Sequence, residues 1–322
     1  MEGKIAVEEH FAIGKTAAKS VRFPQDPYWS GIEGKLIDLF DRRIAEMDDC
    51  GIGCAVLSLN ANGIQEIADA AKAVELAREA NDTLAAAVAK RPDRFAALAA
   101  LPMQDPDAAA AELQRCVRDL KFKGALVNGF SQIGTADSAV YYDVPQYRPF
   151  WAEVERLGAP FYLHPRYSLP SRRQRYEGHP WMVGSPWDFA EETAIHALRL
   201  MGSGLFDEYP KLKIVIGHLG ERIPFDLWRL DHRLKKLPDH PNKRPMAEYF
   251  RQNFYITTSG HFCTQSLIQA ILTVGADRVL FAVDYPFEYH DQAASWFDNV
   301  EIAEHDRMKI GRDNAKVLFN LG

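Results

Sequence analysis

The stretch Pro160-Phe161-Tyr162-Leu163-His164 is a short apolar run that ends on a histidine. The same pattern recurs further along the chain, where residues 214–217 run into His218 and residues 280–283 run into Asp284. Helical patterns separate these apolar runs, and such alternation is typical of a parallel α/β fold. The sequence therefore predicts parallel strands that end on polar residues.

Eight strands are predicted in all. They are Lys4–Glu8, Cys54–Leu59, Phe95–Leu101, Gly124–Val127, Pro160–Leu163, Lys213–Gly217, Phe254–Thr258 and Arg278–Val283. Eight strand–helix units predict a closed (β/α)8 TIM barrel, although an open doubly wound sheet has the same local signals. We expect a single domain over residues 1–322, with loop insertions at about 11–34 and 166–187, because barrels with insertions use this much chain.

Composition and charge exclude several classes of protein. The 322 residues are 47% hydrophobic and 25% charged, which are ordinary values for a globular chain. The net charge of −6 gives no basic surface for nucleic acid or an anionic membrane, so an anionic substrate would need local positive charge from a metal or an arginine.

The N-terminus has no apolar leader and no apolar run reaches about 18 residues, so we expect a cytoplasmic protein. We expect its four cysteines to be buried free thiols.

The residues at the predicted strand ends are of metal-ligand types. In a (β/α)8 barrel the chemistry is built at the carboxyl ends of the strands. Glu8 and His10 end the first strand two residues apart, so both side chains point to the barrel interior. With His164 and Asp284 they supply two carboxylates and two imidazoles, a set that suits Zn²⁺ or Mn²⁺. One histidine at a strand end is more often a packing residue, but four such residues at one rim favour a metal site.

The remaining histidines carry weaker signals. His261 follows residues 257–260 at the end of the seventh strand and could face the site as a substrate contact. Packing or surface roles are favoured for the histidines in helical patterns, loops and helix starts, namely His179, His196, His240, His290 and His305.

Seven segments carry a family resemblance. They are residues 3–11 (GKIAVEEHF), 101–106 (LPMQDP), 124–132 (GALVNGFSQ), 160–166 (PFYLHPR), 217–221 (GHLGE), 257–260 (TTSG) and 284–288 (DYPFE). With them the chain resembles, nearly end to end, the amidohydrolase-2 branch of the metal-dependent hydrolase superfamily, which contains the aminocarboxymuconate-semialdehyde decarboxylases. Within that branch it is most similar to the γ-resorcylate (2,6-dihydroxybenzoate) decarboxylases, and next to the 2,3-dihydroxybenzoate decarboxylases.

The resemblance implies a TIM barrel that works as a homotetramer on a small hydroxybenzoate, with no nucleic-acid or membrane partner. It implies one divalent ion per subunit (Zn²⁺, Mn²⁺ or Mg²⁺) and no organic cofactor. The implied metal ligands are Glu8, His10, His164 and Asp284. The implied catalytic residues are Asp284 as proton donor, with His218 and Glu221 as an acid/base pair. The implied substrate contacts are Phe23, Asn128 and Arg229, the last in its own or a neighbouring subunit.

The reaction implied by the resemblance is the reversible, non-oxidative decarboxylation of 2,6-dihydroxybenzoate to resorcinol and CO₂. The pattern Glu8-x-His10 replaces the common His-x-His, and Asn128 stands where a binuclear hydrolase has a bridging lysine, so one metal ion is favoured. Residues 259–262 (SGHF) are more typical of the 2,3-dihydroxybenzoate type, which keeps that substrate open. The same ligand pattern is also compatible with a mononuclear hydrolase of a lactone or amide, and with a non-catalytic metal-binding barrel.

Overall fold

The computed structural model describes residues 1–17, 31–237 and 242–322. Its strands are β1 Lys4–Phe11, β2 Ile52–Leu59, β3 Phe95–Ala97, β4 Ala125–Asn128, β5 Phe161–His164, β6 Ile214–Ile216, β7 Phe254–Thr257 and β8 Val279–Leu280. Its first helices are α1 Gly14–Ala17, α2 Ile32–Ile37, α3 Asp41–Asp49, α4 Ala70–Lys90, α5 Pro106–Arg118, α6 Arg148–Leu157, α7 Asp188–Gly202 and α8 Leu205–Glu208. The remainder are α9 His218–Glu221, α10 Ile223–Leu234, α11 Met246–Asn253, α12 Thr264–Val274, α13 His290–Asn299, α14 Glu304–Met308 and α15 Asn314–Phe319.

The eight strands are parallel and form a closed ring. Ladders of hydrogen bonds join β1–β3 in one set and β4–β8 in another, both in chain order. Backbone bonds connect the two sets at each seam: Leu126 N donates to Ala99 O at 3.0 Å, and Asp284 N donates to Glu8 O at 2.9 Å. The second seam distinguishes a barrel from an open sheet, so the predicted (β/α)8 fold is confirmed.

The ring is filled by apolar side chains. Each strand directs residues into one interior cluster, which α15 covers with Leu318 and Phe319. The strand residues of this cluster are Ile5, Val7, Val56, Ala96, Leu126, Tyr162, Val215, Leu280 and Ala282, with Tyr255 packed against it. A larger cluster lies between the outer faces of the strands and the helices, including Leu57, Leu163, Ile216 and Ile256. This two-sided burial holds the strand ends in fixed positions, where the polar residues begin.

A bulge in β1 changes which side chains face the interior. Two residues of β1, Val7 and Glu8, stand opposite a single residue of β2, Val56. Val7 packs in the interior cluster, so strict alternation would have turned Glu8 outward. Because the bulge adds one residue, Glu8 and His10 both reach the interior, and Glu9 faces the surrounding helices.

The helical patterns between the strands form helices in the structure. Apolar residues recur at helical spacing from Leu36 to Met47, but this segment forms two helices, α2 and α3, because the Asp38 carboxylate accepts hydrogen bonds from Phe40 N, Asp41 N and Arg42 N and caps α3. The predicted insertion at 166–187 holds two 3₁₀ segments, Pro170–Tyr176 and Pro180–Met182. Most of the predicted insertion at 11–34, including Phe23, lies outside the described residues.

All four cysteines are described and are free thiols, as predicted. The expectation that they are buried holds for Cys116 alone, because the other three lie at partly exposed positions. Across the described parts of the chain, no helix is both long enough and apolar enough for a membrane span.

Candidate metal centre

Four polar side chains converge at the carboxyl ends of β1, β5 and β8. One ligand atom from each of Glu8, His10, His164 and Asp284 lies within 4.8 Å of the others. His10 Nε2 is 3.1 Å from Asp284 Oδ1, and His164 Nε2 is 3.2 Å from Glu8 Oε1. The first three side chains are buried, and Asp284 is partly buried at the edge of the group.

The donor set fits a divalent metal ion. Among the described residues, Glu8 Oε1, His10 Nε2 and Asp284 Oδ1 are buried atoms without a hydrogen-bond partner. Buried polar atoms are nearly always paired, so three lone pairs aimed at one point indicate a cation that binds between them. Two imidazole nitrogens and two carboxylate oxygens are a donor set that Mn²⁺ and Zn²⁺ accept.

Neighbouring side chains hold each ligand in the required orientation. His164 Nδ1 is 2.8 Å from Asn128 Oδ1 and 2.9 Å from Pro165 O. Both partners are acceptors, so Nδ1 carries the proton and the lone pair of Nε2 faces the centre. On the second imidazole, Ser58 Oγ lies 3.3 Å from His10 Nδ1.

The Glu8 carboxylate is oriented from the barrel interior. Tyr162 donates its hydroxyl proton to Glu8 Oε2, and Thr257 Oγ1 donates to the same oxygen at 3.2 Å. These bonds leave Oε1 directed at the centre. Tyr162 lies two residues before His164 on β5, so the two-residue period of a strand puts both side chains on the same face. This spacing could have identified Tyr162 from the sequence, but Tyr162 was not among the predicted site residues.

An unusual backbone turn presents His218 and Glu221. Four non-glycine residues from 218 to 222 have positive φ, between 49° and 68°, and Gly220 has φ 87°. α9 is therefore a left-handed turn, which costs about 1–2 kcal/mol for each non-glycine residue. The turn is held by Leu219, which packs in the outer cluster, and by His218 N, which donates to Ser259 Oγ at 3.1 Å. Such a conformation persists where the surroundings fix it, and this is common at functional sites.

His218 connects Glu221 to the centre. Its Nδ1 lies 2.7 Å from Glu221 Oε1, and its Nε2 lies 3.5 Å from Asp284 Oδ2. Burial lowers the pKa of His218, but the carboxylates of Glu221 and Glu8 outweigh burial and raise that pKa well above 6.5. Burial raises the pKa of Asp284, but the contacts with His10 and His218 outweigh it and lower that pKa. These directions favour a protonated His218 next to an ionised Asp284 carboxylate.

The pKa of Glu8 is set by the same two opposing effects, burial and nearby charge. Burial alone would raise the pKa of its carboxyl, but the charge of His218 and contacts with His164 and His10 hold that pKa well below its usual range. A carboxylate that stays ionised inside the barrel is suited to bind a cation.

A cavity of about 800 Å³ opens beside this centre. Its walls include His218, Glu221 and Asp284 on one side, and Trp187, Phe189, Gly260 and His261 around them. Glu288 also lines the cavity; burial and the charge of Asp284 raise the pKa of this carboxyl to about 7. The sequence analysis did not select Glu288, although it lies in the quoted segment 284–288.

The predicted substrate contacts lie in different places. His261 lines the cavity, with Nδ1 3.3 Å from His218 O. Asn128 is buried, and its amide oxygen bonds His164. Arg229 is exposed on α10 and lines an adjoining groove, which shares Trp187 and Glu221 with the cavity, but Arg229 itself is not among the cavity walls. Phe23 lies outside the described residues.

Comparison with known proteins decides the family. A family model described as amidohydrolase matches residues 32–321. This chain belongs to the amidohydrolase family. The predicted family is confirmed, and the relatives of this amidohydrolase include gamma-resorcylate decarboxylases.

Three relatives illustrate the similarity. A gamma-resorcylate decarboxylase of Rhizobium sp. (strain MTP-10005) is 58% identical over 324 residues, covering 100% of this chain and 99% of the relative. A solved 2,6-dihydroxybenzoate decarboxylase, in complex with 2,6-dihydroxybenzoate, superposes with a TM-score of 0.97 at 58% identity and covers 100% of both chains. A dihydroxybenzoic acid decarboxylase from Polaromonas sp. JS666, with bound manganese and the inhibitor 2-nitroresorcinol, has a TM-score of 0.97 at 56% identity, covering 100% of this chain and 98% of that one.

Proposed function

We propose that this amidohydrolase catalyses the reversible, non-oxidative decarboxylation of 2,6-dihydroxybenzoate to resorcinol and CO₂. The observation that carries the proposal is the full-length identity of 58% with a gamma-resorcylate decarboxylase. The convergence of Glu8, His10, His164 and Asp284 beside the His218–Glu221 pair supports it. The 2,6-dihydroxybenzoate that occupies one solved relative favours this substrate over the 2,3-isomer.

We propose that these four residues hold one divalent ion, either Mn²⁺ or Zn²⁺, with Mg²⁺ as a third candidate. The manganese in the Polaromonas relative supports Mn²⁺. When bound, the ion would supply Lewis acidity and a fixed point for the carboxylate and ortho-hydroxyl oxygens of the substrate.

The chemical problem is to protonate the ring carbon that carries the carboxylate. Direct cleavage would leave an aryl anion that cannot delocalise its electrons, whereas an ortho-hydroxyl feeds electrons into the ring while that carbon accepts a proton. Asp284 is the donor in this proposal, because it lines the cavity beside the centre and its Oδ2 lies 3.5 Å from His218 Nε2.

The proton reaches Asp284 from His218. The raised pKa of His218 and the lowered pKa of Asp284 support His218 as the group that holds this proton in the free protein. An anionic substrate beside Asp284 adds negative charge, which raises the pKa of that carboxyl and draws the proton from Nε2 to Oδ2. Asp284 then protonates the ring carbon, the bond to the carboxylate breaks, CO₂ leaves and the ring regains aromaticity. Glu221 holds Nδ1 at 2.7 Å and stabilises the imidazolium when His218 takes up the next proton.

We also propose that the protein is a homo-oligomer, a tetramer by resemblance, and that it is cytoplasmic. Phe225, Trp228 and Leu272 are exposed by 81%, 75% and 78% on α10 and α12, which supports cover by a second copy. Arg229 lies on α10 with Phe225 and Trp228, so in an oligomer its side chain is available to the cavity of a neighbouring subunit. The direct contacts proposed for Phe23, Asn128 and His261 remain predictions.

The test is a substrate panel with metal-analysed protein. The panel contains 2,6-dihydroxybenzoate, 2,3-dihydroxybenzoate, salicylate and 4-hydroxybenzoate, and products are separated by HPLC. We expect conversion of 2,6-dihydroxybenzoate to resorcinol that is lost on chelation and restored by Mn²⁺, with 4-hydroxybenzoate inert because it has no ortho-hydroxyl. Protein with one bound ion per subunit and no turnover of any member would contradict the proposal and favour a lactone or amide hydrolase.

A further inference from the structure

A second buried polar cluster lies directly behind the metal centre, on the outer face of β1. Its core is Glu9, Arg43 of α3 and His290 of α13, which are exposed by 0%, 0% and 2%. Burying ionisable groups so completely is costly unless each is paired, so their contacts call for an explanation beyond packing. None of these three side chains lines the cavity beside the centre.

Glu9 bonds the chain segment that carries Asp284. Its Oε1 accepts a hydrogen bond from Val283 N at 3.3 Å, and its Oε2 lies 3.0 Å from His290 Nε2. Val283 immediately precedes Asp284, and Glu9 itself stands between Glu8 and His10. One carboxylate thus links the backbone on both sides of the seam where three of the four ligands lie.

The bulge explains why a side chain is needed at this point. On either side of it the seam is closed by backbone bonds, from Val7 N to Phe281 O at 3.2 Å and from His10 N to Tyr285 O at 2.7 Å. At the bulge itself one backbone bond remains, from Asp284 N to Glu8 O at 2.9 Å, and the N–H of Val283 is bonded by the Glu9 carboxylate and not by a backbone oxygen of β1.

Arg43 and His290 support the same seam from the helices. Arg43 Nη2 donates to His10 O at 2.6 Å, and its guanidinium lies 4.7 Å from the ring centroid of Tyr285. The His290 ring stacks on Tyr285 with centroids 4.3 Å apart. Tyr285 follows Asp284, so the cluster contacts the backbone next to the ligands of both β1 and the segment after β8.

We propose that Glu9 is a positioning residue for the metal centre, which fixes the spacing between Glu8 and His10 on one side and Asp284 on the other. The inference rests on the metal site of the proposed function. Glutamine has one acceptor oxygen, so it keeps the bond from Val283 N only by turning its NH₂ towards His290 Nε2, where a carboxylate oxygen now lies. Either the bond to Val283 or the charge-assisted contact with His290 is therefore lost. Without it the segment that carries Asp284 is held at the bulge by one backbone bond, from Asp284 N to Glu8 O, and the ligand spacing widens.

The experiment compares Glu9→Gln with a matched variant, Glu112→Gln. Glu112 is also a buried carboxylate that accepts hydrogen bonds, from Asn81 and Arg115 among others, but it lies on α5 away from the ligand-bearing strands. Each protein is stripped of metal with a chelator and titrated with Mn²⁺, and free and bound ion are followed by electron paramagnetic resonance.

We expect Glu9→Gln to raise the Mn²⁺ dissociation constant about 10- to 100-fold and to change the spectrum of the bound ion. We expect Glu112→Gln to bind Mn²⁺ within about twofold of the parent, although both variants lose thermal stability. A Glu9→Gln protein with the parent's affinity and spectrum overturns the proposal, as does an equal loss of affinity in Glu112→Gln.

His290→Gln provides a second arm that keeps the Glu9 carboxylate and its bond to Val283. If Glu9→Gln does not fold, a His290→Gln protein with unchanged Mn²⁺ affinity overturns the proposal, and one with weakened affinity supports it. The assay needs no substrate. A parent that binds Mn²⁺ but decarboxylates nothing refutes the proposed function alone, whereas a parent that binds no Mn²⁺ overturns the role of Glu9.

Discussion

Replacing Gly217 by alanine should disturb the metal centre through a single methyl group. A Cβ at this position would lie 2.9 Å from Glu8 Oε2 and 3.0 Å from Ser259 Oγ, where ordinary contact begins at 3.4 Å. The backbone φ of −76° suits alanine, so the effect is one of space and not of conformation. The Glu8 oxygen must therefore move by about 0.5 Å, the difference between 3.4 and 2.9 Å, and the Ser259 oxygen by about 0.4 Å.

Neither oxygen can move freely. Glu8 Oε2 is bonded by Tyr162 and Thr257, and Ser259 Oγ is bonded by His218 N at 3.1 Å and Thr257 at 2.8 Å. Overpacking of this kind costs about 1–3 kcal/mol of folding free energy. Functional sites tolerate displacements of no more than about 0.5 Å, so we also expect Mn²⁺ to bind about 10-fold more weakly or worse.

The assay is thermal unfolding of the metal-free protein together with Mn²⁺ titration. Gly202→Ala is the control, because its Cβ would meet only Met246 Cε at 3.7 Å at the end of α7. We expect Gly202→Ala to keep the parent's Mn²⁺ affinity and to be stabilised by about 0.4–1 kcal/mol. A Gly217→Ala protein with the parent's melting temperature and affinity would refute the reasoning.

Three further changes test different parts of the structure. Asp284→Asn should lower kcat by about 10³-fold or more, and substantial turnover with metal still bound would reject Asp284 as donor. Asn128→Ala removes the acceptor 2.8 Å from His164 Nδ1 and should weaken Mn²⁺ binding about 10-fold; equal affinity by titration would contradict that role. Burial lowers the pKa of His196 to about 3 in the folded protein, so stability is lost as pH falls below about 6.5, by about 2 kcal/mol at pH 5. His196→Gln keeps an acceptor for Tyr142 N and should show a correspondingly smaller loss between pH 7.5 and pH 5 in denaturant unfolding; the same loss as the parent would contradict this assignment.

The strand-end pattern predicted the barrel and selected four side chains that the structure brings together. This worked because the carboxyl ends of parallel strands meet at one rim, so residues far apart in sequence, such as His10 and Asp284, become neighbours. The prediction that Glu8 faces inward was correct for a reason the sequence did not carry. Spacing placed Glu8 and His10 on one face, but only the bulge opposite Val56 makes that face the interior.

The parts that sequence reasoning missed depend on tertiary contacts. Positive φ at His218 and Glu221 is unfavourable for both residue types, so nothing local predicts the turn that presents them. His290 was assigned a packing or surface role because it stands alone near a helix start. Its partner, Glu9, lies 281 positions away in sequence. Glu9 and His290 form no recognisable motif in the sequence, because they become neighbours only when the fold closes the seam between β1 and β8.

The end of β4 bears on which chemistry the barrel performs. A binuclear amidohydrolase has a bridging lysine there, whereas this chain has Asn128, whose Oδ1 is engaged by His164 and whose Nδ2 lies 3.5 Å from Leu59 O and Asn60 O. The side chain is thus committed to orienting one ligand and has no charge with which to bridge two ions. In the proposed function, with one ion, Asp284 acts on the substrate as an acid and His218, whose Nε2 lies 3.5 Å from its Oδ2, supplies the proton. On this proposal the rim of the barrel delivers a proton to carbon in place of attack by activated water.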